Sequence, residues 1–295
     1  REPEWRDALA RLGLHALVRF DSVAPPEDGE RRLYESLALL LEHSRDALQR
    51  LITDQQAQRV ARKHSALRLI AELLIDCAAC RRSVISEKSA EQDAINQLRQ
   101  AIRQREQRCV EALLKLYGFR ASDAAASDLP LLDGRWGDDL FNPETLKQLG
   151  VRVGGGIAAG AAAGAGVDLM VGGLTLGAAA LAGAIAGGAL QTARSYGSRL
   201  LGKIKGQREL TVDDSVLRLL ALRQRQLLHA LNARGHAAVD SIKVATPQEK
   251  TWREGKLPEA LSKARAHPQW SSLNPHPKLS QAERQAQIEA LAEQI

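Results

Sequence analysis

Aromatic residues are scarce in this chain, at 3% of 295 residues. Its core must therefore rest on Leu, Ala, Ile and Val. Cysteine is nearly absent: there are three, with no secretory leader pattern, which excludes a disulfide framework and points to a reducing compartment. β-Branched residues are few, while Ala, Leu, Arg, Gln and Glu abound, and that balance favours helix. Methionine occurs once, at Met170, and residue 1 is Arg, so the chain is expected to be cut or processed from a longer one. Neither sign of charge dominates: 41 Lys and Arg stand against 35 Asp and Glu, for a net +6 and a pI near 9.4. Such a balance suits nucleic acid, anionic lipid or an acidic partner without choosing among them. The length allows a sizeable core in one or two domains.

The first segment, 1–52, reads as helix, strand, loop and helix. EPEWRDALARLG (2–13) places Trp5, Leu9 and Leu12 on one helical face, with Gly13 as its stop. LHALVRF (14–20) alternates as a strand does. Residues 30–52 form an amphipathic helix. No second convincing strand follows, and a lone strand has no partner for its hydrogen bonds, so its neighbours are expected upstream of the chain. A helix–strand–helix order is how an α/β domain ends.

Residues 53–117 read as long antiparallel helices. One heptad stripe runs Ala66, Ile70, Leu73, Cys77, Cys80 and Val84. Another runs Ile95, Leu98, Ile102, Arg105, Cys109, Ala112 and Leu116, broken only at Arg105. SEKSAEQD (86–93) is the expected turn. Residues 118–150 form a linker ending in a short helix at 142–150, with Asn142 as N-cap and Pro143 at its first position. In 210–295, residues 211–235 and 279–295 read as helices, the latter capped by Ser280 with Glu283 three residues on. Between them the Pro-rich stretch 247–277 is irregular but anchored by Trp252 and Trp270.

Against this polar background stands the stretch 154–190, almost wholly Gly, Ala and aliphatic, with Asp168 its one charge. Gly156, Gly160 and Gly164, then Gly173 and Gly177, then Gly183 and Gly187 recur at four-residue spacing. In a helix this lines one face with glycine, so another backbone can approach closely. A turn at 171–173 divides the stretch into two arms of about 17 residues, roughly 25 Å each. That is slightly short of a bilayer core of about 30 Å. The expected fold is thus mainly α, with a glycine-zipper hydrophobic helical hairpin in 151–209. Ile157, Val167, Leu169, Met170, Val171, Leu174, Leu176, Leu181, Ile185 and Leu190 are its candidate lipid contacts. Arg152 precedes the hairpin, and Arg194, Arg199, Lys203, Lys205 and Arg208 follow it. A basic flank at both ends places them on the cytoplasmic side of the inner membrane. The competing reading is a tightly packed hairpin inside a soluble domain.

Other constellations are weak. GSRLLGKI (197–204) mimics a phosphate loop, but Ile204 stands where Ser or Thr must bind Mg²⁺, and no strand precedes it. The pair Cys77 and Cys80 has metal-ligand spacing, yet both fall on the apolar stripe, which favours small buried hydrophobes. The histidines show no ligand spacing, and no nucleophile–base signature is present. Arg-rich helices at 59–68 and 217–226 lack interleaved aromatics, so nucleic acid is not the expected partner. The chain therefore reads as non-catalytic, with no metal or cofactor of its own.

Several strings carry a resemblance: RLGLHALVRFDSVAP, GERRLYESLALLL, ALRLIAELLIDCAACRR, GAGVDLMVGGLTLGAAALAGAIAGG and LRLLALRQRQLLHALNARGHAA. Together they resemble the domain of unknown function that follows the GTPase domain in bacterial Era-like proteins. The resemblance implies that GTP and Mg²⁺ belong to an N-terminal GTPase domain acting in cis, and that 1–52 is the last part of that α/β fold. The loop after the strand, 21–24, then corresponds loosely to a nucleotide-contacting loop, with Ser22 and Val23 as weak candidates. The implied role is a regulatory or effector domain docking on or in the inner membrane. Self-association or a membrane-protein partner is compatible with the zipper. The rivals are a soluble helical scaffold and a pore-forming or membrane-remodelling protein.

Overall fold

The computed structural model describes residues 2–14, 18, 28–85, 88–119, 131, 135–142, 145, 167–170, 207–233 and 252–295. The chain divides into two compact units, Arg1–His64 with His229–Ser241, and Ser65–Leu228 with Ile242–Ile295. The architecture is mainly helical with one small sheet.

In the first unit, helix α1 (Glu2–Arg11) stops where expected, with Gly13 in the left-handed region at φ 73°. The amphipathic segment 30–52 is not one helix. Helix α2 (Gly29–Leu40) ends at Leu41, a 3₁₀ turn spans Glu42–Ser44, and α3 (Arg45–Ala79) begins beyond it. Arg45 Nε donates to the Ala38 carbonyl and so satisfies one free acceptor at the end of α2. Arg59 bridges α3 to Glu30 of α2 at 2.6 Å. Leu14 and Val18 carry no strand pairing among the described residues; the rest of the strand expected at 14–20, with Ser22 and Val23, lies outside them.

The second unit is built on two helices with different faces. The C-terminal half of α3 is apolar almost all round: Ile70, Ala71, Leu73, Leu74, Ile75, Cys77 and Ala79 are buried, as befits a central helix. Helix α4 (Lys88–Leu116) buries one stripe, Ile95, Leu98, Ile102, Cys109 and Leu113. It ends at Gly118, φ 76°, with Phe119 N bonded back to the Leu114 carbonyl. The three thiols lie in the core, and burial pushes Cys77 well up, Cys80 to about 11 and Cys109 to about 12. They remain protonated and behave as small hydrophobes.

The heptad reading overshoots at Cys80. Strand β1 (Arg81–Ile85) takes the place of the last helical turn, and α4 already begins at Lys88, inside the stretch 86–93 expected to turn. It pairs antiparallel with β3 (Gln207–Val212), whose other edge pairs antiparallel with β2 (Val167–Met170). Both partner strands escape sequence reading. RRSVI is short and basic, and QRELTV follows a Gly-punctuated basic run. Arg81 and Glu209 lie on one face of the sheet and bond at 2.8 Å.

Helix α5 (Asp214–Ala233) follows β3 directly. The Asp213 carboxylate caps it, accepting from Ser215 N at 2.7 Å and from the Ser215 hydroxyl. Helix α6 (Glu259–Ala266), a 3₁₀ turn at Pro268–Trp270 and helix α7 (Ala282–Ala292) complete the unit. Trp252 and Trp270 are both buried, as anchors should be, and Trp270 Nε1 donates to Gln281 at 2.7 Å. The capping box expected at Ser280 does not form: Gln281 is the N-cap residue and makes no side-chain cap bond.

Candidate functional site

Among the described residues of the second unit three carboxylates are buried, Asp76, Glu106 and the α5 cap Asp213, and the first two each draw in arginines. Asp76 sits in the last turn of α3, 2% exposed, in an otherwise apolar run. Its Oδ2 accepts from Arg105 Nε at 2.6 Å and from the Ser272 hydroxyl at 2.9 Å. Its Oδ1 accepts from Ser272 N at 2.9 Å and from Arg284 at 3.3 Å. The α3 end is wrapped by 271–274: the Ser271 hydroxyl donates to the Asp76 carbonyl, and Asn274 Nδ2 to the Ala79 carbonyl. These bonds use acceptors that a helix end leaves free. A cavity of about 520 Å³ opens beside the cluster, lined by Glu72, Asp76, Arg105, Arg108, Ser272 and Ser280 among others.

Glu106 is the second carboxylate, on the opposite side of α4 from its exposed face. It accepts from Gln224 at 3.3 Å and pairs with Arg223 at 3.7 Å, both from α5. Burial pushes its carboxyl up from 4.5 to about 7, against the opposing pull of Arg223 and Gln224. Arg223 also lies 5.2 Å from the Trp136 ring and donates to the Asp138 carbonyl at 2.7 Å. The same loop is held to α4 by Arg103, which bonds both Asp139 oxygens and, with Arg99, covers the Phe141 ring. Among the described residues, no group of three or more metal-ligand side chains gathers.

The sequence match that bears on this arrangement runs over residues 6–293, which takes in both clusters and the sheet. The chain belongs to the family described as "Domain of unknown function (DUF3482)". No curated protein and no solved structure matches it.

The candidate lipid contacts fall unevenly on this fold. Val167, Leu169 and Met170, expected in the first helical arm, are instead backbone partners of Val212, Leu210 and Glu209. A strand here has a physical cause: VDLM joins a β-branched residue and two long apolar ones to an open edge of β3. Asp168, expected near the turn, pairs with Thr211. Arg208 of the basic flank is on β3, opposite Val84 of β1. Ile157, Val171, Leu174, Leu176, Leu181, Ile185 and Leu190 lie outside the described residues. So do Gly156, Gly160, Gly164, Gly173, Gly177, Gly183 and Gly187, and Arg152, Arg194, Arg199, Lys203 and Lys205. The phosphate-loop mimic lies outside them as well. Among the described residues, no helix is long and apolar enough to cross a membrane.

Sequence reasoning did not single out Asp76, Glu106, Arg223 or Arg284. A signal existed for one pair: Arg105 breaks an apolar stripe, and Asp76 interrupts LLIDCAAC, so each is the other's natural partner. Arg284 gives no such signal in the polar run QAERQAQ.

Proposed function

We propose that this chain is a non-catalytic regulatory or effector domain that associates with an anionic membrane through residues 171–206, in cis to a GTPase domain. The pairing of β2 with β3 carries the reading. Met170 lies opposite Glu209, so residues 171–206 leave and re-enter at one end of the sheet. Cα atoms across such a ladder are roughly 5 Å apart.

Its sequence suits a membrane surface better than a full crossing. Residues 171–190 carry no charge, and Arg194, Arg199, Lys203 and Lys205 follow. The apolar part is about as long as one bilayer span. A return span would carry those cations through the hydrocarbon, at about 2.5–3.5 kcal/mol for each one near its centre. Reaching into one leaflet and returning costs far less, and it leaves the cations at the headgroups, where each contributes about 1 kcal/mol. The GTPase partner rests on the resemblance of the quoted strings and not on the fold.

Flotation with anionic and neutral liposomes tests the reading. The intact chain should co-float with anionic liposomes and resist high salt in part. A chain whose β2 and β3 are joined by a two-residue turn in place of 171–206 should stay in solution. Equal flotation of both chains would overturn the assignment to 171–206. No flotation of either would favour a helical interaction module.

A further inference from the structure

We propose that the cavity between α3, α4 and the segment at 272–285 binds a small molecule through an oxyanion, a phosphate or carboxylate group. This goes beyond the membrane reading and does not depend on it.

Arg105 is the central donor of the cavity. Only 13% of its side chain is exposed, and its Nε is committed to Asp76. Its two terminal nitrogens make no hydrogen bond among the described residues. A guanidinium that is fixed, mostly desolvated and unspent on its outer edge presents a planar fork of donors, which matches an oxyanion. The Asp76 cluster holds it in place, so little ordering is needed on binding.

Arg108 stands one helical step along α4 and lines the same cavity. Its Nε makes a long 3.4 Å bond to the Gln104 carbonyl, and it has no carboxylate partner among the described residues. Ser280 adds a hydroxyl without a partner among them. Glu72 is the opposing term. It lines the cavity half-buried and makes no ion pair among the described residues. Asp76 faces both Arg105 and Arg284, and Glu72 offsets Arg108, so the lining keeps one net positive charge. The balance admits one negative charge and resists two, and Glu72 can also receive a cationic amine on the same molecule. The volume, about 520 Å³, is that of a site for a small metabolite.

Thermal-shift titration of the intact chain with inorganic phosphate and, separately, acetate tests this, with chloride matched throughout. At least one anion should stabilise the protein saturably, and which one does so tells phosphate from carboxylate. Glu72 and Arg108 both lie on the cavity rim, outside the Asp76 cluster, so their variants should fold. Arg108→Gln should weaken the binding about tenfold, the loss of one charge-assisted contact. Glu72→Gln should tighten it. A response no greater than that to chloride, or one unchanged in both variants, overturns the proposal.

Discussion

Asp76 and Glu106 are both buried carboxylates facing arginine, yet their surroundings treat them differently. Asp76 accepts from four donors, two guanidinium groups and the amide and hydroxyl of Ser272, at 2.6 to 3.3 Å. Glu106 has one long hydrogen bond and an ion pair at 3.7 Å, and burial pushes its carboxyl up to about 7. Removing a charge from water costs several kcal/mol unless donors replace the lost hydration. The comparison sets a carboxylate satisfied by four close donors against one whose burial is met by a single long hydrogen bond and a distant arginine. It also assigns roles: Asp76 fixes the end of α3, while Glu106 can change its charge near neutral pH.

The largest way to break the contrast is Asp76→Ala. Arg105 and Arg284 would lose their shared counter-charge, and the donors of Ser272 would lose their acceptor. Chemical denaturation should show a loss of about 3–5 kcal/mol. A loss under 1 kcal/mol would mean the cluster is solvated and not a structural tie.

Glu106→Gln sharpens the contrast through pH. The carboxyl titrates near 4.5 when unfolded and near 7 when folded, so the folded state holds the proton longer. Stability from this group is therefore full below pH 4.5 and falls as pH rises to about 7, by roughly 3 kcal/mol at most. The variant should lose this slope and be relatively more stable than the wild type above pH 7. Denaturation midpoints across that range read it directly, and parallel profiles would contradict it.

Smaller effects are expected where the same chemistry faces water. Arg103→Ala removes the bidentate pair to Asp139 and the cation over Phe141, both on an exposed arginine. The expected loss is about 1 kcal/mol. Arg59→Ala breaks an exposed pair with Glu30 and should cost roughly 0–1 kcal/mol, shrinking with added salt.

The helices were largely legible in the sequence because their apolar periods are long. α1 falls where the pattern places it, α4 starts early, inside the expected turn 86–93, α5 starts late because Thr211 and Val212 belong to β3, and the stripe from Ala66 to Cys80 is buried as its spacing implies. The sheet was not legible. RRSVI, VDLM and QRELTV are short and carry charge, and each becomes a strand only because distant residues supply its partner. That is a tertiary effect which a local pattern does not contain. The same holds for the cavity beside Asp76. Arg105 was visible as an anomaly in a heptad, but Ser272 and Arg284 reach Asp76 from 196 and 208 residues away.

Met170 lies opposite Glu209, so the sheet holds both flanks of 171–206 together, and the proposed membrane contact requires that pairing to persist at the lipid surface. The most direct measurement is a cross-strand disulfide between Met170→Cys and Glu209→Cys, formed by mild oxidation of the protein already bound to anionic liposomes. Efficient closure within one chain and unchanged flotation of the oxidised product are expected. Failure to close on the membrane, or release from liposomes once closed, would contradict it.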